Sequence, residues 1–124
     1  MPEDYSGQDL RGRDFSGQDL SYDDLTNANL SGANLTSANL IGANLYQADL
    51  RDADLEIANL EGAVLEGANL SYANLEGANF TNTDLTDAVR RPGINRADMD
   101  GARGLDTTMG GLDWGNPSPP KGCC

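Results

Sequence analysis

The chain has 124 residues, 20 acids against 8 bases, no histidine and a net charge of −12. That length fits one small domain, and the absence of histidine removes the commonest general base and the commonest metal ligand. No apolar run approaches the ~18 residues of a membrane span, and so acidic a surface repels nucleic acid and anionic membranes.

The N-terminus, Met1-Pro2-Glu3-Asp4, lacks the basic region and apolar stretch of a secretory signal. A cytoplasmic address is therefore expected, with a trimmed exported form as the alternative. From Tyr5 to Leu85, leucine or an aromatic falls on every fifth residue. From Ala28 to Ala88 alanine recurs every fifth residue, two before each, except Thr83, and the residue after it is Asn or Asp, except Val64 and Val89.

A period of five fits neither ordinary element. In an α-helix it turns the side chain by ~500°, which scatters the leucines around the axis. In a flat strand an odd period sends successive leucines to opposite faces. A short extended piece with a bend does make one apolar face. Ala28 and Leu30 point inward, Asn29 points out, and Ser31-Gly32 bend the chain before Ala33 and Leu35 point inward again. Repeated bends in one sense wind the chain into a tube with leucine in the bore. A narrow bore leaves room for nothing larger than alanine beside each leucine.

The stretches Ala28-Asn29-Leu30-Ser31-Gly32, Ala33-Asn34-Leu35-Thr36-Ser37 and Ala48-Asp49-Leu50-Arg51-Asp52 resemble the pentapeptide repeat, A(D/N)LXX. The resemblance recurs in tandem over most of the chain. It implies an all-β fold, a right-handed quadrilateral β-helix with four pentapeptides per coil. Leu10, Leu30, Leu50 and Leu70 would then form one vertical stack, with coils ~4.8 Å apart.

The ends depart from the pattern. Gln8, Arg13, Gln18 and Asp23 replace alanine in the first coil. Their polarity suits an exposed capping coil, which stops end-to-end pairing. After Asp87 the frame breaks at Arg90-Arg91-Pro92-Gly93 and resumes one residue early with Pro92/Ile94, Ala97/Met99 and Ala102/Gly104. About five coils are expected, in a solenoid over residues 1–105. Its repeats are regular to about residue 88, its last coil is the shifted-frame stretch 90–105, and Leu105 or Leu112 plugs the bore. Residues 106–124 form a flexible Gly/Pro-rich tail. The adjacent Cys123 and Cys124 close no loop that would brace the fold.

Candidate sites are few. The only lysine, Lys121, and both thiols lie in the tail, and serines such as Ser31 and Ser71 stand at bends without a base. No phosphate loop is present, so neither enzymatic activity nor a cofactor is expected. Asp52, Asp54 and Glu56 alternate like part of a calcium loop, but Ile57 stands where its glycine turn belongs. They read as solvated surface charge, and no metal site is expected. The Asn/Asp columns, such as Asp9, Asn29, Asp49 and Asn69, read as structural, with short polar side chains satisfying backbone groups near the bends.

Two surfaces carry functional readings. Tyr22, Ile41, Tyr46, Ile57 and Tyr72 are outward apolar residues. Of these, Tyr22, Ile41 and Ile57 form the candidate contact patch for an unidentified protein partner. Glu56, Glu61, Glu66 and Glu76 wrap the upper half in negative charge. Residues 1–87 hold sixteen acids and three arginines, a balance of −13, and residues 88–124 hold four acids and five bases, a balance of +1. The resemblance gives that acidity a second meaning, because some pentapeptide repeat proteins bind DNA gyrase in place of duplex and confer quinolone resistance. Five coils would rise ~24 Å, and duplex of that length carries roughly 14 negative charges. Those members are longer and dimerise through a C-terminal apolar module that this sequence does not show. The expectation is a non-enzymatic interaction or scaffolding module in the style of short cyanobacterial repeat proteins. It would be a monomer or weak dimer and would bind no nucleic acid directly. The alternative is a DNA mimic directed at gyrase or topoisomerase.

Overall fold

The computed structural model describes residues 2–89, and among them there is no helix. Parallel bridges join each residue of the Asn/Asp position to the one twenty residues on, from Asp4↔Asp24 to Asn69↔Val89. Coils of twenty residues therefore stack as rungs, and the described residues make a little over four of them. The shifted-frame coil at 90–105, the Leu105 or Leu112 plug, the tail and both cysteines lie outside the described residues.

Each coil has four sides, named here for their outward columns. The first side carries Asp9, Asn29, Asp49, Asn69 and Val89, and the second Asp14, Asn34, Asp54 and Asn74. The third carries Asp19, Asn39, Asn59 and Asn79, and the fourth Asp4, Asp24, Asn44, Val64 and Asp84. The bore is filled as expected: Leu10 through Leu85 and the alanines from Ala28 to Ala88 form one continuous buried cluster.

The consensus follows from where the backbone N–H groups go, since a coil this tight must pair all of them. One pentapeptide shows the scheme. Ala28 N–H donates to Leu25 O across the bend at 3.0 Å, Asn29 N–H to Gln8 O on the rung below, and Leu30 and Gly32 N–H to Asp49 O and Arg51 O on the rung above. Ser31 N–H is left over, and Asn29 Oδ1 accepts it at 3.1 Å. The same side-chain bond recurs at every Asn/Asp bridge residue, from Asp4 with Ser6 to Asp84 with Thr86. The Asn/Asp position is thus a structural acceptor, as the sequence suggests. Val64 has no oxygen to offer Glu66 N–H.

Each bend carries positive φ at its second residue and negative φ at its first, with the Leu O···H–N bond of a type II turn. All seventeen such positions from Gly7 to Asp87 show it, and eight are glycine. Left-handed backbone costs other L-residues ~1–2 kcal/mol. Ile57, at φ 60, is β-branched and pays most.

The first coil is a cap, with one difference from the expectation. Gln8, Arg13 and Gln18 are exposed. Gln8 Nε2 donates to the edge carbonyl of Asp4 at 3.2 Å, and Gln18 Nε2 makes a longer 3.5 Å contact to that of Asp14. The Arg13 guanidinium lies 5.6 Å from the Phe15 ring centre. The Tyr5 and Phe15 rings meet edge to face across the end of the bore at 5.9 Å. Asp23 is the exception: it is 4% exposed. The second rung covers it, and its Oδ1 holds Glu3 N–H at 2.8 Å, which ties the N-terminal segment to the coil.

Candidate interaction face

A bend has two residues: the first finishes one side and the second starts the next. This assigns the outward residues to sides. Ile41 follows Asn39 and Leu40, so it forms one rim of the third side. Ile57 precedes Ala58 and Asn59, so it forms the opposite rim of that side, one rung higher. Tyr22 lies around the corner from Ile41, and its N–H donates to Ile41 O at 2.9 Å. The structure therefore joins Tyr22 directly to Ile41 and sets Ile57 across the asparagine floor from them. Tyr22 and Ile57 are 65% and 63% exposed, while Ile41 is half-buried. Tyr72 is equally exposed but stands at the corner before the second side.

Packing fixes the two exposed side chains of the patch. The Tyr22 ring lies over Gly42 so closely that a Cβ there would overlap it. Ile57 lies against Gly77 more loosely, with Cγ1 3.6 Å from where a Cβ would stand, an ordinary contact distance. Sequence reasoning missed this pairing, although the signal is present: a large bend residue followed by glycine twenty positions later.

The four glutamates of the acidic surface fall on three corners. Glu56 and Glu76 share one, one rung apart, with Glu61 on the next corner and Glu66 on the following one. Glu61 and Glu76 are exposed, and Glu56 and Glu66 are half-buried. Asp54 faces Asn74 rather than another carboxylate and accepts its Nδ2–H at 3.3 Å, so mixing Asn with Asp relieves repulsion along the column. Arg11 and Arg51 each clamp the aspartate two residues earlier, with Nη2 to Oδ2 at 2.8 and 2.6 Å. The Arg11 hydrogen bond holds the Asp9 carboxyl down at about 2, and Arg51 lowers Asp49 likewise. Hydroxyl bonds from Ser6, Ser16 and Ser21 lower Asp4, Asp14 and Asp19.

No group of three or more metal-ligating side chains converges among the described residues. Asp52 is exposed, Asp54 and Glu56 are half-buried, and Asp54 Oδ1 accepts Glu56 N–H at 3.1 Å. An open hollow at the first coil is lined by Pro2, Asp19, Ser21, Tyr22 and Asp23, and in it the Ser21 hydroxyl donates to Asp19 Oδ1 at 2.6 Å. Among the described residues no helix is long and apolar enough to cross a membrane.

A family model for pentapeptide repeats matches in eight copies, over residues 24–56 and 48–87. Solved structures also match. A pentapeptide repeat protein of the Arabidopsis thaliana thylakoid lumen is 39% identical over 78% of this chain and 65% of its own, with a TM-score of 0.41. A trypsin-treated form of QnrB1, a plasmid-mediated fluoroquinolone resistance protein, is 28% identical over 77% of this chain and 49% of its own, with a TM-score of 0.67. A pentapeptide repeat protein from the cyanobacterium Nostoc Pcc 7120 is 37% identical over 73% and 76%, with a TM-score of 0.47. The chain thus spans 65% and 49% of the first two structures. No curated protein matches it.

Proposed function

The chain belongs to the pentapeptide repeat family, whose members fold as right-handed quadrilateral β-helices, and from that premise we propose that it is a non-enzymatic module that binds a protein partner. The family's members are generally structural or interaction modules. One observation carries the reading: the bend residues of a rigid ladder present Tyr22 and Ile41 together and Ile57 opposite, while the Oδ1 atoms of the polar column between them are engaged by backbone N–H groups. Rigidity lowers the ordering cost of binding. The contact residues are Tyr22, Ile41 and Ile57, and the compartment is the cytoplasm. Capture of a partner from lysate by the full chain tests this. Ile41→Asp with Tyr22→Ser should abolish capture, and unchanged capture removes the patch.

A second reading draws on the QnrB1 likeness, the one at a TM-score of 0.67. In it Glu56, Glu61, Glu66 and Glu76 stand in for duplex phosphates before gyrase. It requires inhibition or protection of supercoiling at micromolar protein, together with a tight dimer in light scattering. A monomer without effect on supercoiling removes it.

A further inference from the structure

The corner between the third and fourth sides gathers acceptors and no base. Residues 2–89 hold three bases, Arg11, Arg13 and Arg51, and all of them stand on the first and second sides. In the first coil Gln8, Arg13 and Gln18 bring donors to the position two before each bore residue, whereas Asp23 brings a carboxylate. Asp23 is 4% exposed. Its Oδ1 accepts Glu3 N–H at 2.8 Å, but Oδ2 is buried and meets no donor among the described residues. A buried carboxylate oxygen is among the costliest groups to leave unpaired. We propose that the open hollow lined by Asp23 takes the ammonium of a lysine presented by a protein partner. The proposal rests on the interaction reading of Tyr22, which lines the same hollow, and names the group that the partner brings.

The number of acceptors selects the ligand. Asp19 Oδ1 is taken by the N–H and hydroxyl of Ser21, at 3.0 and 2.6 Å, and Asp19 Oδ2 receives no hydrogen bond from a described residue. One rung up, Tyr22 N–H donates to Ile41 O. Pro2 stands twenty residues before Tyr22 and has no N–H, so Ser21 O goes without the matching bond. Asp23 Oδ2, Asp19 Oδ2 and Ser21 O thus make three acceptors. An ammonium carries three donors and no acceptor, and a guanidinium carries five donors. A calcium ion takes six to eight oxygens, and among the described residues no third ligating side chain joins the pair.

Size and charge agree. The hollow measures about 250 Å³, under the ~300–1,000 Å³ of small-molecule sites, which suits one side chain. Glu3 and Asp24, neighbours of Asp23 on the two lowest rungs, add negative charge. The wall free to give is Pro2, which is exposed and donates nothing to the ladder, so its shift admits the ammonium to Oδ2. A partner whose apolar residue rests on Tyr22 and Ile41 has its lysine within reach of the hollow.

The probe is the peptide acetyl-Ala-Lys-Ala-amide. It is titrated into the full chain under reducing conditions at about 0.15 M salt, with NMR following the amides of residues 19–24. Saturable binding with a Kd of about 1 mM is expected, and none by the same peptide acetylated on its lysine. Asp23→Asn keeps the oxygen that Glu3 N–H needs and removes the charge, and should weaken binding about tenfold or more. Asp19→Asn, which matches Asn39 one rung up, should weaken it about threefold. Asp14→Asn on the second side makes the same change in net charge and should stay within about twofold. If Asp23→Asn does not fold, the order of the other two variants decides. No saturation by about 30 mM peptide, equal binding of the acetylated form, or equal loss in every variant overturns the proposal. Calcium that binds there while the peptide does not also overturns it. If the peptide fails while Ile41→Asp with Tyr22→Ser still abolishes partner capture, the interaction reading stands without this anchor. If the peptide binds and capture survives those changes, the lysine site stands without the patch.

Discussion

The first coil and the coils above it share a bore but not a lining. Above Asp24 the position two before each leucine is buried alanine, apart from Thr83, whose Oγ1 donates to Leu60 O at 2.8 Å. In residues 4–23 the same position holds Gln8, Arg13, Gln18 and Asp23, and three of these are exposed. The backbone is the same in both regions, with the same turns and the same twenty-residue bridges. Alanine is therefore not a demand of the repeat's conformation. It is a demand of having a neighbour on both faces. Where the lower neighbour is missing, the side chain is free to be long, and Gln8 uses that freedom to cover an edge carbonyl that a rung would otherwise have paired.

Exchanging residues between the two regions gives the largest expected effect. Ala48→Gln places an amide where a sealed interior has neither space nor partner, and should cost about 3 kcal/mol or more in urea denaturation. Gln8→Ala should cost under about 1 kcal/mol. Equal costs would break the comparison.

The next effect isolates the ring that the first coil lays on the second. Gly42 and Gly62 share a corner, at φ +66 and +70, but only Gly42 lies under a ring. Gly62→Ala should cost about 1 kcal/mol, from left-handed strain alone. Gly42→Ala should cost about 2 kcal/mol, and Tyr22→Ser should remove the excess.

A smaller effect runs the other way. Val64→Asn supplies the acceptor that Glu66 N–H lacks and should stabilise by about 1 kcal/mol in thermal melts.

The last sharpening is by pH. The first coil's bridge residues Asp4, Asp9, Asp14 and Asp19 are titratable, and all are held below the ordinary carboxylate value of 3.8, Asp9 at about 2. On the next rung the residues bridged to Asp9, Asp14 and Asp19 are Asn29, Asn34 and Asn39, which do not titrate. A lowered folded-state value means the unfolded chain binds more protons, so the stability these groups give is full above about 4 and is lost as pH falls toward about 2. Amide exchange should show the first coil fraying before the second in that window, and the small effect should be absent at neutral pH.

The bore, the period and the role of the Asn/Asp column were legible in the sequence because each is written every fifth residue. The cap was legible in Gln8, Arg13 and Gln18 as broken consensus. Asp23 broke the same consensus and proved buried, because burial there depends on the second rung above it and on Glu3 below, a contact twenty residues away in the chain. The Tyr5–Phe15 contact was hidden for a similar reason, since it spans opposite sides of the bore. Of the candidate patch, the Tyr22–Ile41 contact was legible from their separation by nearly one coil. That Ile57 faces them across an uninterrupted run of asparagine emerges only when bend residues are assigned to sides.

Everything depends on neighbours lying twenty residues apart, and backbone NMR reads that spacing directly. Cross-rung contacts should join Asn39 to Asn59 and Asn59 to Asn79, with the same spacing from Asp4 to Val89. An unbroken run of helical contacts three or four residues apart, or bridge residues paired at any spacing other than twenty, would contradict the coil and the surface built on it.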